Sequence, residues 1–120
     1  MTVLVTGGTG LLGANLVRQL LERGFPVRVL VRNLTASRKY FEGLEVELFE
    51  GEIQDREAVL SATEGVECVY HSAAMVHIGR RGIDRFTRVN VEGTRNVIGA
   101  VRACGAKLLF VSSADAVGLR

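Results

Sequence analysis

The stretch Thr6-Gly7-Gly8-Thr9-Gly10-Leu11-Leu12-Gly13 satisfies G-x-G-x-x-G through Gly8, Gly10 and Gly13. It also satisfies G-x-x-G-x-x-G through Gly7, Gly10 and Gly13. Glycines let a backbone turn sharply and approach a pyrophosphate with no Cβ in the way. A helix opening directly behind them offers free N–H groups and a positive dipole end to the same phosphates. Without a ligand, the stretch would be a tight strand-to-helix turn.

Arg32 comes next. An NAD site usually carries an acid near the end of the second strand, where it bonds the ribose hydroxyls. Here Val31 holds that place and Arg32 follows it. An acid would repel a 2′-phosphate, whereas a guanidinium can pair with it and stack on adenine. Arg38 and Lys39 could add charge, so the expected cofactor is NADP, with NAD possible. In Gly51-Glu52-Ile53-Gln54-Asp55, the Glu52 carboxylate can accept from an adenine amino group and the Ile53 backbone can reach the ring. Asp55 is itself explained as a helix cap.

Two further stretches could face the same ligand. Ser72, Ala73 and Ala74 are small enough to let a ribose and nicotinamide lie against the backbone. Ser112 and Ser113 would bring hydroxyls to the end of a later strand. Asn90 lies amid apolar neighbours and either bonds a strand-end carbonyl near the site or packs between helices. Cys68, His71 and Ser72 are hydrolase ingredients on one short strand, with no geometry for a nucleophilic triad. His71 reads as a packed strand-end residue rather than a base. Neither the histidine pair His71 and His77 nor the cysteine pair Cys68 and Cys104 has metal-ligand spacing, so no metal is expected.

These residues need a scaffold, and the hydrophobic pattern describes one. Strands are expected at residues 3–5, 27–31, 44–49, 66–70 and 108–111, from short β-branched or alternating runs. Helical spacing links Leu12, Leu16, Val17, Leu20 and Leu21 up to Gly24. A short helix is expected over 35–41, one capped by Asp55 carries Val59 and Leu60, and a longer one runs from Phe86 through Val101 to Gly105. Residues 75–85 read as a loop around Gly79 and Gly82. Strand alternating with helix means βαβ units and a parallel sheet. Right-handed crossovers favour a doubly wound α/β fold, five strands in order 3-2-1-4-5 with helices on both faces. Ligands bind such sheets at the carboxyl ends of the strands where the order reverses, here between the first and fourth.

Composition narrows the alternatives. The 120 residues amount to one domain, 48% apolar and 23% charged, which suits a folded globule rather than a disordered chain. The basic residues number 15 and the acidic 13; they are scattered, which argues against nucleic acid or an anionic membrane as a partner. No apolar run approaches the ~20 residues of a membrane span, and the start lacks a charged leader. Two buried reduced thiols, Cys68 and Cys104, would fit a cytoplasmic protein.

The stretches TGGTGLLG, VLVRN, GEIQD, VYHSAA, VNVEGTRNVI and FVSSADAVG together resemble the extended short-chain dehydrogenase/reductase family. Within it, the chain is similar to the dihydroflavonol reductase-like and sugar-epimerase-like branch. The resemblance implies that residues 1–120 form an NAD(P)-binding Rossmann domain. It implies that Gly7, Gly10 and Gly13 line the pyrophosphate, with backbone contacts from Leu11 and Leu12. Arg32, helped by Lys39, would hold the 2′-phosphate, and Glu52 and Ile53 would meet the adenine. The family usually has Asp where Glu52 stands. Ser72, Ala73 and Ala74 would flank the nicotinamide ribose. Ser113 matches the active-site Ser or Thr that bonds the substrate oxygen, and Asn90 matches the helix Asn of VNVxGT.

One departure matters. The family's proton donor is the Tyr of Tyr-x-x-x-Lys, a general acid–base pair. This chain has only Tyr40 and Tyr70, with Leu44 and Ala74 four residues on. Only Lys39 and Lys107 are lysines. The resemblance therefore implies the N-terminal half of a longer oxidoreductase or epimerase acting on a small-molecule carbonyl or alcohol. Such a half would bind dinucleotide weakly and turn nothing over. A non-catalytic dinucleotide sensor is the alternative from another class, and Ser113 favours the enzyme. A homodimer is possible, and an unpaired fifth strand would favour edge-to-edge association.

Overall fold

A computed structural model describes residues 2–7, 11–72 and 91–110. Its strands are β1 (Thr2–Thr6), β2 (Val27–Val31), β3 (Val46–Glu50), β4 (Val66–His71) and β5 (Lys107–Phe110). Its helices are α1 (Leu11–Glu22), α2 (Leu34–Tyr40), α3 (Arg56–Ala62) and α4 (Gly93–Cys104). The strands form one sheet in the order β3-β2-β1-β4-β5 with parallel pairings throughout, as the alternating pattern requires.

Side-chain alternation along the strands builds two cores. Val3, Val5, Val27, Val29 and Val31 point to one face and meet Val17 and Leu20 of α1, with Leu34 at the start of α2 packed alongside. Leu4, Leu30 and Val69 point to the other face and meet Val59 and Ala62 of α3 and Val97 and Ala100 of α4. The register of β1 on β4 shifts between Thr2↔Val66 and Val3↔Cys68. This extra residue, Glu67, lets Val66 and Val69 share one face although they are three positions apart.

Local chemistry fixes most boundaries. Asn33 caps α2, its Oδ1 accepting the Ala36 N–H at 3.0 Å, so the helix starts at Leu34 rather than Thr35. Asp55 caps α3 as expected, accepting from the Glu57 and Ala58 N–H groups. Gly105 ends α4 in the left-handed region at φ 76°, its N–H reaching the Val101 carbonyl. β3 begins two residues later than expected because Leu44 is held in a turn by the Phe41 carbonyl. At the amino end of the sheet, Arg28 donates to the Ala62 and Glu64 carbonyls at the end of α3 and pairs with Glu47 on β3 at 3.0 Å. A cation there satisfies carbonyls that the helix leaves without partners. The expected loop at 75–85, and Phe86, Val89 and Val111, lie outside the described residues.

Candidate active site at the carboxyl ends of β1 and β4

β1 and β4 are neighbours, and their crossovers leave in opposite directions, to β2 and to β5. Their carboxyl ends therefore bound the crevice of the sheet. Gly7 follows β1 at φ 75°, a conformation that side chains rarely adopt. α1 then opens with Leu11, Leu12 and Gly13, whose N–H groups belong to the first turn and have no intrahelical acceptor. Gly8 and Gly10 lie outside the described residues.

A hydrogen-bonded knot closes the junction. Thr6 and His71 are paired in register, and Thr6 Oγ1 stands 2.8 Å from His71 Nδ1. The Ser72 backbone N–H donates to Thr6 Oγ1 at 3.0 Å, and the Ser72 hydroxyl donates to the Thr6 carbonyl at 2.6 Å. The other ring nitrogen, Nε2, lies 3.2 Å from Thr94 Oγ1 on α4, so a hydroxyl faces each ring nitrogen and can donate or accept according to which one carries the proton. His71 is only 3% exposed. Burial pulls its pKa down from 6.5 to about 4, so the imidazole is neutral near pH 7. This is the packed strand-end histidine that the residue types suggested, tied into three elements.

The Cys68 thiol is buried, and desolvation raises its pKa, with Lys107 partly opposing the rise. That environment suppresses a thiolate nucleophile. Cys104 corrects an expectation: it is exposed, because it ends α4 on the solvent side.

The adenosine end is open by contrast. Arg32 is exposed directly after β2, and no ion pair within 4 Å holds it among the described residues. Lys39 is exposed in the last turn of α2. Glu52 is exposed, with Gln54 Nε2 at 3.4 Å from its carboxylate. Ile53 is buried, and its carbonyl accepts from Asn96 Nδ2 at 3.1 Å. A Cβ on Gly93 would lie 2.9 Å from Ile53 Cγ2, so glycine there lets α4 press on the Glu52–Ile53 turn. Ala73, Ala74, Asn90, Ser112 and Ser113 lie outside the described residues.

The model of the NAD dependent epimerase/dehydratase family matches residues 3–119. The chain belongs to this family. Sterol demethylase protein B of Methylococcus capsulatus is 44% identical over 120 residues, 99% of this chain and 36% of the relative. A short-chain dehydrogenase/reductase superfamily protein from Agrobacterium tumefaciens, solved with bound NAD, has a TM-score of 0.82 at 32% identity, over 96% of this chain and 33% of that one. UDP-glucose 4-epimerase from Thermus thermophilus, solved with NAD, has a TM-score of 0.80 at 35% identity, over 94% of this chain and 38% of that one. This epimerase/dehydratase family chain thus spans about a third of the length of these relatives.

Four residues of this family member escaped the sequence reading: Thr6, Thr94, Asn96 and Glu50. Thr6 offered a faint signal, a hydroxyl ending an apolar strand. Thr94 and Asn96 stood within the quoted VNVEGTRNVI stretch without a role.

Proposed function

We propose that the chain is the NADP(H)-binding portion of an oxidoreductase or epimerase acting on a carbonyl or alcohol carbon of a small molecule or nucleotide sugar. One observation carries the reading: left-handed Gly7 follows β1 shortly before the first turn of α1, beside the β1/β4 junction. The NAD held by the Agrobacterium and Thermus proteins supports a nicotinamide dinucleotide there. Exposed Arg32 supports the phosphorylated form, through pairing with a 2′-phosphate.

On this reading Gly7, Gly10, Leu11, Leu12 and Gly13 hold the pyrophosphate. Glu52 accepts from the adenine amino group, and the Ile53 N–H addresses the ring. Ser72, Ala73 and Ala74 flank the nicotinamide ribose, with the Ser72 oxygen available as an acceptor. Asn90 and Ser113 are the proposed catalytic residues, Ser113 bonding the substrate oxygen. A bound nicotinamide supplies the hydride chemistry, while the protein supplies positioning. Residues 1–120 contain no Tyr-x-x-x-Lys, so this chain alone is expected to bind dinucleotide without turnover.

Titration of the 120-residue chain with NADPH and NADH, followed by nicotinamide fluorescence, tests the reading. Saturable binding with NADPH the tighter ligand is expected. Absence of binding for both at millimolar concentration would overturn it.

A further inference from the structure

Glu50 is the last residue of β3, and the register sets it directly beside Val31, the residue before Arg32. Its carboxylate is tethered: Oε2 accepts the backbone N–H of Leu34 at 3.0 Å. Leu34 is the first residue of α2, next to the Asn33 cap. The negative charge is therefore fixed at the short step that joins β2 to α2. Arg32 stands in that same step, exposed. No ion pair within 4 Å joins the two among the described residues. Two opposite charges flank one spot without neutralising each other by contact.

Such a pair acts differently on the two dinucleotides. A 2′-hydroxyl is neutral, whereas a 2′-phosphate brings nearly two negative charges at neutral pH. Neighbouring strands lie ~4.8 Å apart. A phosphate held by Arg32 would share the β2/β3 outlet with the Glu50 carboxylate, and at low salt, where the Debye length reaches about 30 Å at 0.01 M, the repulsion between them would act almost unscreened.

We infer that Glu50 is a specificity-determining residue: its tethered carboxylate opposes the 2′-phosphate that Arg32 attracts, and so narrows the preference for NADP over NAD. The inference rests on the dinucleotide reading above.

Glu50→Gln tests it, because the amide oxygen can still accept the Leu34 N–H while the charge is gone. Dissociation constants for NADPH and NADH are measured for parent and variant at low and high salt. NADPH is expected to tighten about three- to tenfold at low salt, NADH to change less than about twofold, and the difference to shrink at high salt. Glu50→Ala, which removes charge and acceptor together, should move the ratio by the same factor even if its melting temperature falls. An unchanged ratio in Glu50→Gln, or a ratio that moves only in Glu50→Ala, would overturn the inference while leaving dinucleotide binding intact. A parent that binds neither dinucleotide overturns both readings.

Discussion

The two ends of the proposed dinucleotide crevice are built on opposite principles. At the β1/β4 junction, Thr6, His71, Ser72 and Thr94 form a polar knot of neutral groups, centred on the buried Thr6 and His71. At the β2/β3 outlet, Arg32, Glu50 and Glu52 are charged and exposed. A buried polar group is costly unless it is satisfied, so the knot must be complete for the sheet to close. An exposed charge costs little and can be exchanged. The junction should therefore govern stability, and the outlet should govern which ligand is preferred.

The sharpest break of that contrast is acid. His71 is held to about 4 in the folded chain against an ordinary 6.5. Between those values the unfolded chain binds a proton that the folded chain refuses. The His71 contribution to stability is therefore full above pH 6.5 and is lost as pH drops toward 4, about 3 kcal/mol in all. Urea unfolding at pH 7 and pH 4.5, for parent and His71→Gln, isolates this contribution as the difference between the two proteins. An identical pH dependence in the variant would show that His71 does not carry it.

The elements, and the exposed charges of Arg32 and Glu52, were readable in the sequence because their causes are local. Asp55 and Gly105 announce a helix start and stop through their own chemistry, and a guanidinium after a strand states its charge whatever surrounds it. The knot was not readable. It joins Thr6 to His71 across 65 positions and His71 to Thr94 across 23, and each residue alone is an ordinary strand or helix residue. Glu50 was missed for a related reason: the expected third strand stopped at Phe49, and the Leu34 N–H that holds the Glu50 carboxylate lies 16 positions away in the chain.

A smaller effect is expected where the two regions meet. Gly93→Ala would put a methyl 2.9 Å from Ile53 Cγ2, in a buried contact that has to give. Alanine is worth up to about 1 kcal/mol more than glycine in a helix, but overpacking of a core costs about 1–3 kcal/mol. The expected net is a loss of about 1 kcal/mol in denaturant unfolding. Adding Ile53→Ala removes the crowded atoms, so in that background Gly93→Ala should turn neutral or stabilising. Strict additivity of the two substitutions would contradict the contact.

Arg32→Ala should have the least effect on folding and a selective effect on binding. The side chain is exposed and makes no ion pair among the described residues, so its loss should leave stability within about 0.5 kcal/mol. A charge-assisted contact at an exposed site suggests about fivefold weaker NADPH binding, with NADH nearly unchanged. The effect should shrink with salt, since the Arg32 guanidinium acts through a solvent-exposed charge. Equal weakening of both dinucleotides would mean that Arg32 stacks on the adenine they share rather than pairing with a 2′-phosphate. That result would move the outlet's selectivity away from charge and break the contrast at its open end, even if the buried junction behaved as expected.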